Sequence, residues 1–143
     1  MNRVLVVFFF WLMWPNFVTA DPLPGPIPAE VIKVIDGDTI KVRAQIWVDQ
    51  TVEISVRLRG IDAPELYRPK CAAEKSLART VKASVSAASP VGSHVSLIDV
   101  TRDKYGGRVV ASVVTSDGET LAARLLSQGQ AIADGARKPW CGV

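Results

Sequence analysis

Residues 29–59 read AEVIKVIDGDTIKVRAQIWVDQTVEISVRLR. Three runs of alternating residues lie in this stretch, separated by two turn signals. Ala29 to Ile35 is β-rich and closes on Asp36-Gly37, a dipeptide suited to tight hairpin turns. In the next run Ile40, Val42, Ala44, Ile46 and Val48 alternate with Lys41, Arg43, Gln45 and Trp47. Asp49-Gln50 turns the chain, and Val52, Ile54, Val56 and Leu58 then alternate with Glu53, Ser55, Arg57 and Arg59. A period of two places one face of each strand in a core and the other in solvent. The stretch therefore predicts a three-stranded meander.

Downstream the period changes. From Ala72 to Ala88, Ala73, Leu77, Val81 and Val85 recur every fourth residue, with Lys75, Arg79 and Lys82 on another side. This predicts an amphipathic helix of about four turns, stopped by Ser89-Pro90-Val91-Gly92. The basic side of that helix suits a solvated face, or a surface that steers nucleic acid. Alternation returns in 93–100, with Val95, Leu97 and Val100 inward, and again in RVVASVV at 108–114. Glu119 to Ser127 reads as a short helix ending before Gly129. Three meandering strands, a helix, two strands and a C-terminal helix give an α+β, mainly β chain. A five-stranded OB-fold barrel with its helix between strands three and four matches this order. A plain α+β sandwich is the alternative.

Upstream, residues 1–20 carry Arg3, an uncharged apolar run from Val4 to Trp14, and small residues at Val18 and Ala20. That is the pattern of a secretory signal peptide; an uncleaved short anchor is the alternative. Residues 21–28, DPLPGPIP, hold four prolines and are expected to be an extended, unpaired leader. Residues 29–143 form the folded domain. Cleavage before Asp21 would leave an exported protein, periplasmic or extracellular, with no membrane attachment. It would also lower the 48% hydrophobic content and remove one of the charges behind the net +3. The mildly basic balance permits an anionic partner without requiring one. No stable protein partner is implied, and a monomer is expected.

The counts exclude several chemistries. One histidine, His94, rules out two-histidine mechanisms, and two cysteines cannot build a four-cysteine zinc site. His94 is expected on an outward strand face. Trp47 and Trp140 suit packing more than base stacking. No phosphate-binding glycine loop and no GxSxG nucleophile elbow is present. What remains is carboxylate and guanidinium chemistry. Asp38, Asp62 and Glu65 stand at strand ends, as do Arg57 and Arg108. Each segment also has a structural reading: Asp36-Gly37 as a turn, Asp62 to Glu65 as a helix-capping loop, Asp103 to Arg108 as a solvated hairpin tip. If they converge, hard oxygen ligands suit calcium or magnesium, and two forked cations suit a phosphodiester. In an oxidising compartment Cys71 and Cys141 would pair and tie the tail to the barrel, worth roughly 4 kcal/mol for so long a loop. Two free buried thiols are the alternative.

Three motifs, IDGDTIKV at 35–42, VRLRGIDAPE at 56–65 and DKYGGRVVA at 103–111, occur in order with the 72–88 helix and LLSQGQA at 125–131. In these the chain resembles the staphylococcal (micrococcal) nuclease-like, or thermonuclease-like, family. The resemblance implies an OB-fold barrel, calcium dependence, and hydrolysis of DNA and RNA with 3′-phosphate products. It implies Asp38 and Asp62 as calcium ligands, with the backbone carbonyl of Ala63 beside them. It gives Glu65 the attacking water, Arg57 the phosphate, and Lys104 and Tyr105 contacts to nucleotide phosphate. Two departures stand out: Ala63 replaces a common threonine, and DKYGGR carries one more glycine than the usual DKYGR, so Arg108 is the second arginine only if the turn bulges. A noncatalytic OB-type module binding nucleic acid or another ligand is the competing reading; an inhibitor or adhesion domain is a third.

Overall fold

The computed structural model describes residues 22–142; the signal-peptide reading of 1–20 lies outside them. Strands β1 (Ile27–Val34), β2 (Thr39–Trp47), β3 (Gln50–Leu58), β5 (His94–Arg102) and β6 (Arg108–Val114) close a barrel in the order β1-β2-β3-β6-β5. A two-residue strand β4 (Ile61–Asp62) pairs antiparallel with β7 (Ile132–Ala133) beside it. Helices α1 (Ala72–Ala88) and α2 (Leu121–Ser127) complete the chain. The α+β, mainly β, five-stranded OB-type barrel expected from the strand order is the fold observed, with α1 between β3 and β5.

All barrel pairings are antiparallel except β3 with β6, which run parallel from Ser55↔Arg108 to Leu58↔Ala111. A parallel pair needs a crossover. Here it contains α1 and β5.

The inward face follows the period of two only where a strand is flanked on both sides. Val31, Ile40, Val42, Val56, Leu58, Leu97 and Val113 are fully buried. Ile46 and Val48, expected inward, are 56% and 73% exposed. β1 accompanies β2 only as far as Ala44, and β6 meets β3 only from Ser55 onward. Beyond those points the β2–β3 hairpin leaves the barrel and has no core to face.

On α1 the buried residues are Glu74, Ala78, Val81 and Val85, while Ala73 is exposed. The helix is thus rotated by one residue at its start relative to the four-residue repeat read from the apolar positions. A charged side chain takes the inner position. Cys71 caps the N-terminus and Ser89 the C-terminus, its hydroxyl and amide both donating to the Val85 carbonyl. The proline-rich leader is not unpaired. Leu23 and Val100 exchange both backbone hydrogen bonds, Pro24 accepts from the Asp99 amide, and β1 already begins at Ile27 and pairs with β5. Prolines 24, 26 and 28 leave alternate residues free to donate, so the segment lies along one strand edge without losing its own bonds.

Cys71 and Cys141 form a disulfide with Cα atoms 5.9 Å apart. Trp140 is buried beside it, as a packing residue, whereas Trp47 stands 75% exposed on the protruding hairpin. No helix among the described residues is long and apolar enough to cross a membrane.

Candidate active site

The Asp36-Gly37-Asp38 turn presses against α1 and the β4 loop. A Cβ at Gly37 would lie 2.7 Å from Val81 Cγ1 and 2.9 Å from the Ala63 Cβ. Glycine is needed here for close approach, not for a left-handed backbone. The turn thereby delivers Asp38, 8% exposed, to the end of the barrel. Asp38 Oδ1 accepts from the Thr39 hydroxyl at 2.9 Å, and Oδ2 from the Ala63 amide at 3.3 Å.

Thr39 pairs with Arg57 across β2 and β3, so Arg57 rises from the same barrel end. Its Nη1 donates to Asp38 Oδ2 at 2.9 Å; its Nη2 donates to Asp62 Oδ1 at 2.5 Å and to the Ile61 carbonyl at 3.2 Å. One guanidinium therefore bridges the two aspartates. Burial works against its charge, but Asp38, then Asp62 and Asp134, outweigh it and raise the Arg57 pKa. Asp36 behaves oppositely. Burial first, and the neighbouring Asp38 charge second, push its carboxyl up to about 6.

Arg108 opens β6, in register with Ser55 on the strand that carries Arg57. The extra glycine is absorbed in the turn: Gly107 takes φ +77°, and the space around it is open. Arg108 Nε donates to Asp103 Oδ2, while both terminal amino groups are without a protein partner among the described residues. Burial would raise the Asp103 pKa, but the Arg108 hydrogen bond and charge and two backbone amides bring it below its usual value. Lys104 Nζ and the Arg108 guanidinium each lie 5.1 Å from the centre of the exposed Tyr105 ring, within reach of cation–π attraction.

Asp38, Asp62, Ala63, Glu65, Arg57 and Arg108 line one small cleft of about 120 Å³, together with Asp36, Thr39 and Lys138. Lys104 and Tyr105 are not in it. They line an adjoining larger cleft of about 540 Å³, which Arg57, Asp62, Arg108 and Lys138 share. His94 and the basic side of α1 line neither cleft.

Glu65 is exposed, its Oε1 accepting from the Tyr67 amide at 3.0 Å. Its backbone is held by Glu74, 3% exposed, whose Oε1 accepts from the Glu65 amide at 3.1 Å and Oε2 from the Lys70 amide at 2.7 Å. Sequence reasoning missed Glu74. Its signal was its place three residues after the helix cap, where a carboxylate reaches back to free amides. Lys138, whose Nζ lies 3.5 Å from Asp62 Oδ2, was missed as well and carries no local signal.

As ligands Asp38 and Asp62 offer carboxylate oxygens, which suit calcium or magnesium better than zinc. Among the described residues no three acidic, histidine or cysteine side chains group closely enough to cage an ion alone. Asp38 and Asp62 are the carboxylates available to a hard cation here, and each already accepts from Arg57.

The family model of staphylococcal nuclease homologues matches residues 55–140, from β3 through the buried tail. The chain belongs to this family. Both arginines, Asp62, Glu65 and the disulfide-linked tail up to Trp140 fall within the matched residues, whereas Asp38 precedes them. A comparison with curated proteins finds no match. Membership in the staphylococcal nuclease homologues carries nuclease-like chemistry and nucleic-acid binding in the broad sense.

Proposed function

We propose that the protein is an exported, calcium-dependent nuclease that hydrolyses phosphodiester bonds of DNA and RNA and leaves 3′-phosphate ends. The observation that carries this reading is the convergence of Asp38, Asp62, Glu65, Arg57 and Arg108 on one cleft. These are the groups a phosphodiester hydrolase needs: carboxylates for a hard cation, a further carboxylate for water, and two forked cations for phosphoryl oxygens.

In this reading Asp38, Asp62 and the Ala63 carbonyl hold the calcium ion, which when bound adds positive charge against the phosphate. Glu65 accepts a hydrogen bond from water and takes its proton as the water oxygen attacks phosphorus. The bond from phosphorus to the 5′ oxygen breaks, and that oxygen leaves as the 5′ hydroxyl after taking up a proton. The free amino groups of Arg108 meet the phosphoryl oxygens as their charge grows. Arg57 is already charged and aimed by Asp38 and Asp62, so little reorganisation is needed. Lys104 and Tyr105 hold the neighbouring nucleotide in the larger cleft. Export is supported by the 1–20 leader and by the disulfide, which belongs in an oxidising compartment; a soluble monomer is the proposed state.

Zymography in a DNA-containing gel tests the reading. Clearing is expected with calcium, none with chelator, and none for Asp38→Ala with or without calcium. A protein that stays folded, binds DNA and never clears the gel would instead be a binding module.

A further inference from the structure

Four residues line both clefts: Arg57, Asp62, Arg108 and Lys138. Three are cations, so the seam between the two clefts is net positive and suits an anion that spans them. Arg57 is held in place by direct hydrogen bonds to Asp38 and Asp62. Lys138 is not. Its 3.5 Å separation from Asp62 Oδ2 is longer than a direct hydrogen bond, and its side chain is 48% exposed. Such an ammonium exchanges partners readily.

Its backbone, in contrast, is fixed. Lys138 stands three residues before Cys141, whose disulfide ends at Cys71, the cap of α1, and Trp140 between them is buried. A lysine near the end of the chain would ordinarily sweep a large volume. Here the disulfide and the buried Trp140 anchor the chain just beyond it, and its side chain lines both clefts.

We propose that Lys138 is a substrate-binding residue of this site, contacting the backbone phosphate of a nucleic-acid strand where it passes from the larger cleft into the smaller one. The proposal rests on the nuclease reading above for its ligand class, a phosphodiester strand. On strand entry Nζ leaves Asp62 for a phosphate oxygen. Arg57 keeps Asp62 oriented meanwhile.

The test is equilibrium binding of a short fluorescein-labelled single-stranded DNA, by anisotropy, in chelator so that no turnover is required. Each lysine or arginine that neutralises a phosphate of a single strand contributes about 0.7 to the slope of log affinity against log salt. Lys138→Ala is expected to lower that slope by about this amount, and Lys138→Arg to keep it. Between about 50 and 200 mM salt the wild-type protein should lose roughly 2.5-fold more affinity than Lys138→Ala. Arg137→Ala is the control, since Arg137 lines neither cleft at the seam; it should leave the slope near wild type. An unchanged slope in Lys138→Ala, an equal fall in Arg137→Ala, or no salt-dependent binding by the wild type would overturn the assignment. Hydrolysis measured separately with calcium distinguishes the two readings. Wild-type cleavage with an unaltered Lys138→Ala slope removes only the lysine contact. A one-contact loss without any wild-type cleavage removes only the nuclease.

Discussion

Replacing Glu74 by glutamine tests whether a buried carboxylate organises the loop that carries Glu65. Its two oxygens accept from the amides of Glu65 and Lys70, at 3.1 and 2.7 Å, in a site that is 3% exposed. Glutamine has nearly the same volume, so packing against the barrel is preserved. One of its two terminal atoms, however, must now be a donor facing a donor. The change therefore costs one charge-assisted hydrogen bond and leaves one buried amide unmet, about 2–3 kcal/mol together. For a domain of this size that corresponds to a fall in Tm of roughly 5–15 °C. The loop from Glu65 to Lys70 should loosen first, because both lost contacts end there. In the nuclease reading kcat should fall while KM changes little, since Glu65 serves the attacking water and not strand binding. Thermal unfolding by circular dichroism, with DNA hydrolysis assayed well below the variant's Tm, reads both effects. A Glu74→Gln protein with wild-type Tm and wild-type kcat would refute the assignment of Glu74 as the organiser of this loop.

Arg108→Lys and Arg108→Ala should both reduce kcat by about 10²–10³, with lysine rescuing poorly because it lacks the planar fork; near wild-type hydrolysis in both would remove Arg108 from the reaction. Gly37→Ala should destabilise the protein by about 1–3 kcal/mol through the clash of its new methyl with Val81 and Ala63, read as a lower urea midpoint at unchanged m-value; an unaltered midpoint would show that the turn can move aside. Asp117 is held at about 2, first by the Thr115 hydroxyl and then by the Glu119 amide, against an ordinary value of 3.8. Because its folded pKa is depressed, its stabilisation is present above pH 3.8 and lost as pH falls through about 2. Asp117→Asn should accordingly lower Tm at pH 7 and converge on wild type near pH 2, and a Tm difference constant over that range would contradict the linkage.

Period and turn chemistry made most of the barrel readable. The alternation of Ile40 with Lys41, or Val56 with Arg57, reports local burial, and burial is what the barrel imposes. The same pattern misled at Ile46 and Val48, because a strand's own sequence does not say where its neighbour ends. The site was legible where its residues sit in contiguous motifs at strand ends. Asp38, Arg57, Asp62, Glu65 and Arg108 meet because β2, β3 and β6 are adjacent. Lys138 was not legible, because its position depends on a covalent bond to Cys71 and on the burial of Trp140. Arg59 illustrates the same limit. Read as an outward strand residue, it donates to the Asp99 and Val110 carbonyls and the Thr101 hydroxyl, tying the β5 bulge to β6.

The parallel contact between β3 and β6 joins segments separated by α1 and β5. Contacts so distant along the chain form late, after the intervening loop has been closed at an entropic cost. Arg57 and Arg108 sit on these two strands, so the cation pair comes into being only at barrel closure. A chain whose barrel has not closed carries every side chain of the site without their convergence. For a nuclease made inside a cell whose own nucleic acid it could cut, latency of this kind would be inherent in the topology and require no inhibitor.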